Sequence, residues 1–77
     1  MVQVSKAIAY LHKVREFLPA NLSVDVRLTY MHNQIELFNT HNFLDLGTFY
    51  YVGVPPEEFY EKFLLPIITR ERIRGYL

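Results

Sequence analysis

The sequence contains no cysteine and no tryptophan. Without thiols there is no disulfide framework, no Cys-based zinc site and no thiol catalysis. Glycine is scarce, with 3 residues in the chain, and no Gly-rich phosphate-cradling loop is present. Charge of one sign is also lacking. Eight basic and eight acidic side chains cancel, and the sequence pI is ≈ 6.8. That balance removes the basic surplus usual in a dedicated nucleic-acid binder. No apolar run approaches the roughly 18 residues of a membrane span. Met1 is followed by a mixed amphipathic segment, not by the basic stub and apolar block of a secretory signal. The expectation is a cytoplasmic protein with no membrane partner, in the host cytoplasm if the chain is virus- or phage-encoded.

What the chain does have is apolar mass. Of its 77 residues, 51% are hydrophobic and 16% aromatic, including six Tyr and six Phe. Disorder is excluded on that composition. A single domain over residues 1–77 is expected. A chain this short buries only about 60% of its unfolded surface. Each Phe or Tyr can bury roughly 150–250 Å². Twelve such rings exceed what so small a core hides, so some are expected at a contact surface. The rings crowd between Phe43 and Phe63.

The periodicities give an α+β fold in the order α–β–β–β–α. It is read as a three-stranded antiparallel sheet, a β-hairpin plus one strand, with N- and C-terminal helices packed on one face. Val4, Ala7, Ile8, Leu11, Val14 and Leu18 form a helical stripe over residues 3–18, with Ser5 as a possible cap and Pro19 as the stop. Residues 22–31 alternate strictly between apolar and polar, as in a half-buried strand. A two-residue turn at His32-Asn33 would set Tyr30 opposite Ile35 and Leu28 opposite Leu37. Residues 39–46 read as a loop with Phe43, Leu44 and Leu46 in it. The third strand is expected over 48–52. Pro55 or Pro56 starts a helix with Glu57 and Glu58 in its first turn. Pro66 is expected to end that helix near Leu65, leaving Ile67-Ile68 extended. Thr69 would then cap a short last helix through Ile73, with Gly75 as its stop.

Residues from Leu28 onward resemble the KTSC domain family. The run Gly47-Thr48-Phe49-Tyr50-Tyr51-Val52-Gly53-Val54-Pro55-Pro56-Glu57-Glu58-Phe59 is similar to that family's Gly-x-aromatic-x-Tyr-x-x-Val-Pro-x-x-x-aromatic pattern. Leu28-Thr29-Tyr30 with Ile35-Glu36-Leu37-Phe38 resembles its opening hairpin. Ile73-Arg74-Gly75-Tyr76 resembles its Ile-Arg-x-x-Tyr ending. Three departures stand out. The 39–46 loop is longer than the family's second turn, the polar segment before the ending is missing, and the helix at 3–18 is an addition. The resemblance implies a small sheet with a helix on it and no enzymatic activity. It also implies a nucleic-acid role, but the missing segment is the most basic part of the pattern.

Candidate chemistry is sparse. His12, His32 and His41 lack metal-ligand spacing, so no metal or other cofactor is expected. Asp25 and Glu36 fall on the outward sheet face with Arg27, where cross-strand ion pairs are expected. No nucleophile stands beside a base, and no pocket is signalled, so the chain is read as non-enzymatic. The leading reading is a small binding module acting by protein–protein contact and self-associating as a homodimer. Its interface would use Met31, Phe38, Tyr50 and Tyr51 on the outward sheet face, Phe43 of the aromatic loop, or both. Compact chains of this kind are frequent among phage- or virus-encoded accessory and inhibitor proteins, an analogy of size alone. A second reading is RNA or single-stranded DNA binding through Arg27, Arg70, Arg72, Arg74 and Tyr76, with Arg on phosphate and Tyr under bases. A third is a dimer that holds an anionic nucleotide between Tyr and Arg side chains.

Overall fold

The computed structural model describes residues 2–77. Helix α1 spans Val4–Arg15, and strands β1, β2 and β3 span Val24–Leu28, Gln34–Asn39 and Asp45–Tyr50. Helix α2 follows at Pro56–Phe59, runs through a π-helical turn at Tyr60–Leu64, and continues as α3 over Leu65–Ile73. The strands form one antiparallel sheet in the order β1-β2-β3. This is the expected α–β–β–β–α arrangement. The core joins Ala7, Leu11 and Val14 of α1 to Val26, Ile35 and Leu37 of the sheet and to Phe59, Leu64 and Ile68 of the C-terminal helices. Both helical layers therefore cover one sheet face, and the other stays open.

Helix α1 is shorter than its stripe. It buries Ala7, Leu11 and Val14, a single i, i+4, i+7 line, while Val4 and Ile8 remain exposed. No side chain caps its start, and Ser5 lies inside it. Phe17 and Leu18 follow in tight turns, with their N–H groups donating to the Val14 and Arg15 carbonyls.

The hairpin forms in a different register from the expected one. Leu28 faces Ile35, Val26 faces Leu37 and Arg27 faces Glu36. The pairing has slipped by two residues. An even slip keeps every side chain on its own face, so alternation alone does not distinguish the two registers. The turn is longer as a result, and Tyr30 is 91% exposed instead of facing Ile35. His32, not Asn33, takes the positive φ of 60°.

Strand β3 begins three residues early, at Asp45. A bulge lies between the Leu37↔Gly47 and Phe38↔Asp45 pairs, and it leaves Leu46 as the extra residue. Gly47 has a steric role here. A Cβ at this position would sit 2.8 Å from the Phe49 ring and 3.0 Å from Ile67 Cδ1. Phe49 in turn stacks on Phe63, with centroids 5.2 Å apart.

Pro66 does not end the helix. The N–H of Leu65 donates to the carbonyl of Tyr60, five residues back, and this wider turn carries the chain past the proline. Ile67 and Ile68 are therefore helical, and Thr69 lies inside α3 rather than at its cap. Gly75 stops the helix as expected, with φ 81° and with its N–H donating to the Arg72 carbonyl.

Two tyrosines lock the layers together. Tyr10 of α1 donates its hydroxyl to the Val54 carbonyl, and Tyr51 donates to the His32 carbonyl in the hairpin turn. The two rings lie 4.4 Å apart. Burial, then the neighbouring Tyr51 and Glu58, pushes the Tyr10 hydroxyl up from 10.0 to about 12. Burial also raises Tyr51 and Tyr60. A folded pKa above the unfolded one means that the unfolded chain loses its proton first. The stabilisation is complete below pH 10 and is lost as pH climbs towards about 12. Thermal melts across that window should show the midpoint falling steeply. A midpoint that holds constant through it would contradict the burial of these hydroxyls.

Candidate functional site

The open sheet face carries Asp25 and Arg27 from β1, Gln34, Glu36 and Phe38 from β2, and Thr48 and Tyr50 from β3. These positions follow from the register and from the alternation about the buried Val26, Ile35 and Leu37. At the centre, Arg27 donates to Glu36 Oε1 at 2.6 Å, the expected cross-strand pair. That hydrogen bond raises the Arg27 guanidinium above its ordinary pKa. Arg27 also lies over the Phe38 ring, 4.6 Å from its centroid.

The five expected interface residues divide three ways. Met31 and Tyr50 lie at the hairpin-turn end and are 55% and 67% exposed. Phe43 lies at the far end, is 66% exposed, and stacks on Phe38 at 6.3 Å. Phe38 is thereby covered, with Arg27 on one side and Phe43 on the other, and only 9% of it is exposed. It supports the patch rather than presenting itself. Tyr51 is not part of this face. It points towards the helices and is 4% exposed, because β3 turns Phe49 and Tyr51 inward and Tyr50 outward. Four residue steps separate Gln34 from Phe38, or roughly 13 Å, so the two apolar ends are distinct patches flanking the ion pair. Of the twelve rings, Phe17, Tyr30, Phe43, Tyr50 and Tyr76 remain exposed.

The alternative basic set is not brought together. Arg27 is on the sheet and occupied by Glu36, whereas Arg70, Arg72 and Arg74 lie at the end of α3 on the other layer. Arg70 approaches Glu71 at 3.9 Å, and Arg72 faces a shallow hollow with Thr69 and Ile73. Only Arg74 and Tyr76 line a common cavity.

The two sheet edges differ at their centres. On β1, the outward groups of Val26 are already taken. Its N–H donates to Asp25 Oδ1 at 2.7 Å, and its carbonyl accepts from Arg15 Nη2 at 3.0 Å. Arg15 Nε holds the same Asp25 oxygen at 2.9 Å. On β3, Thr48 and Tyr50 direct their N–H and C=O groups away from β2. No hydrogen bond meets those groups among the described residues. None of the six residues of β3 is buried, whereas β2 buries four. Sequence reasoning missed both features, because Arg15 and Asp25 meet only through the helix–sheet packing.

A cavity of about 380 Å³ was not signalled by the sequence either. It lies between the β2–β3 turn and the end of α3, with Asn39, Leu46, Glu71 and Arg74 in its wall. No group of three or more His, Asp or Glu side chains able to hold a metal occurs among the described residues, and none of their helices is long and apolar enough to cross a membrane. No protein-family model, no curated protein and no solved structure matches this chain, so the likeness to the KTSC domains rests on the residues quoted for it.

Proposed function

We propose that the protein is a small, non-enzymatic binding module of the cytoplasm that self-associates by adding the β3 edge of one copy to that of another. The observation that carries this is the contrast between the two edges. A free edge is a template for strand pairing, and proteins that must avoid it use lysine, proline or a covering element. Here the centre of β1 is closed at Val26 by Arg15 and Asp25, while β3 has no Lys or Pro and no hydrogen bond to the outward backbone groups of Thr48 and Tyr50.

An antiparallel two-fold about Thr48 pairs the outward groups of β3 with themselves. Thr48 then sits beside Thr48, a favourable cross-strand pair. The two Tyr50 rings fall on the same open face, on either side of that pair. The two sheets become one of six strands, and the patches of Tyr50, Met31 and Phe43 become one continuous surface for a further protein partner.

The test is the mass in solution, by light scattering and sedimentation at micromolar to ~100 µM protein. The wild type should be a dimer. Thr48→Lys sets like charges directly opposite each other at the two-fold and should weaken the dimer by at least ~10-fold. Its side chain is half-exposed on the open face opposite Glu36, with its hydroxyl donating to Asp45 Oδ2 at 3.2 Å, so the fold should be retained by circular dichroism. A wild type that stays monomeric at the highest concentration would overturn the proposal.

A further inference from the structure

The cavity at the end of α3 contains an unmatched charge. Glu71 is 8% exposed, and its side chain is buried to nine-tenths. Its Oε2 is shut off from bulk water and accepts no hydrogen bond. Its one ion-pair contact is Arg70, at a long 3.9 Å. A buried carboxylate oxygen left without a donor is costly, by roughly 1–3 kcal/mol or more. Oε1, which carries what exposure the carboxylate has, accepts no hydrogen bond either among the described residues.

Arg74 lines the same cavity, one helical turn on. It makes no ion pair with Glu71 or with any other carboxylate among the described residues. The remaining wall is of two kinds. Leu44, Leu46 and Leu77 are aliphatic. Asn39 ties the wall to both elements, with Nδ2 donating to the Tyr76 carbonyl and Oδ1 accepting from the His41 N–H. The cavity thus offers a negative group, a positive group and an aliphatic surface. Its volume of about 380 Å³ falls at the small end of ligand sites.

We infer that this cavity binds a small zwitterion, namely a free α-amino acid with an aliphatic side chain. Its ammonium donates to the accessible oxygen of Glu71, its carboxylate takes the Arg74 guanidinium, and its side chain lies against Leu44 and Leu46. Charge-assisted hydrogen bonds of this kind are the strong ones. The site is on the layer opposite the open sheet face, and it does not depend on self-association.

The experiment titrates the intact protein with L-leucine, L-leucinamide and N-acetyl-L-leucine, reading side-chain amide NMR shifts of Asn39 and Asn42 and the heat of binding. Leucine should shift these signals saturably in the millimolar range. Leucinamide lacks the carboxylate, and N-acetyl-leucine lacks the ammonium. Each should bind at least ~10-fold more weakly, as should Glu71→Gln and Arg74→Gln for leucine itself. The ligand series needs no mutation, so it decides the matter even where a variant folds poorly. Absence of any shift at ~20 mM leucine would overturn the inference. So would equal binding of all three compounds. Tighter binding of leucinamide than of leucine would replace the amino acid with the amino end of a peptide.

Discussion

Phe59→Ala should leave the protein largely unfolded at 37 °C. Phe59 has no exposed surface and is the largest of the fully buried side chains. Three rings meet it, namely Tyr10 at 6.1 Å, Phe49 at 6.4 Å and Phe63 at 5.3 Å. These come from α1, from β3 and from the π turn, so one side chain joins every layer. Truncating a buried Phe costs about 3–5 kcal/mol, through lost transfer energy and the cavity left behind. At roughly 0.05–0.15 kcal/mol per residue, a chain of 77 residues has about 4–12 kcal/mol in total. The loss therefore runs from about a quarter of that total to all of it. In a domain of this size each kcal/mol moves the midpoint by about 4–8 °C, so the fall should exceed ~12 °C. Thermal circular dichroism at one fixed protein concentration reads it. A fall under ~5 °C would show that the rings do not form a tightly packed unit.

Removing Glu61 should be almost as damaging, although Glu61 is exposed. The π turn at Tyr60–Leu64 holds one residue more than an α turn, so Leu64, five residues after Phe59, still falls on the buried face with Ile68. With Glu61 deleted, regular α geometry restores a four-residue spacing and keeps that face. It also sets the Pro66 ring against the carbonyl four residues back, at about 3 kcal/mol. The deletion should therefore cost about 3 kcal/mol. Glu61→Ala, which keeps the length, should stay within about 0.5 kcal/mol of the wild type. Urea unfolding of the two variants checks this. If both are equally stable, the wider turn does not relieve a Pro66 clash.

The same two elements show what was legible before the structure. Element type and order follow from periodicity, and that part of the fold could be read directly. Pro66 was misleading, because the rule that a proline stops a helix presumes regular spacing. The rule does not hold where a wider turn precedes the ring. The hairpin shows a second limit. Alternation over 22–31 settles which face each side chain takes, but not which residue it faces, since a slip of two leaves the faces unchanged. The outward patch was partly readable. Met31, Phe43 and Tyr50 are placed by parity and by the loop. Tyr51 was misassigned because neighbouring rings at 49, 50 and 51 give no internal clue to which is inward. Glu71 could not have been found, since an acidic residue among three arginines reads as a solvated helix end. Only the packing of the β2–β3 turn against that end closes it off.

The closure of β1 by Arg15 and Asp25 has a further consequence. A three-stranded sheet with two free edges is divalent, and divalent units joined head to tail grow without limit. In the dimer proposed above, each outer β1 edge has its centre occupied at Val26. The pair of side chains at the end of α1 would then oppose further addition along the sheet. If the dimer forms as proposed, Arg15→Ala together with Asp25→Ala should free that edge and give species larger than the dimer by sedimentation; a double variant of unchanged size would count against the closure.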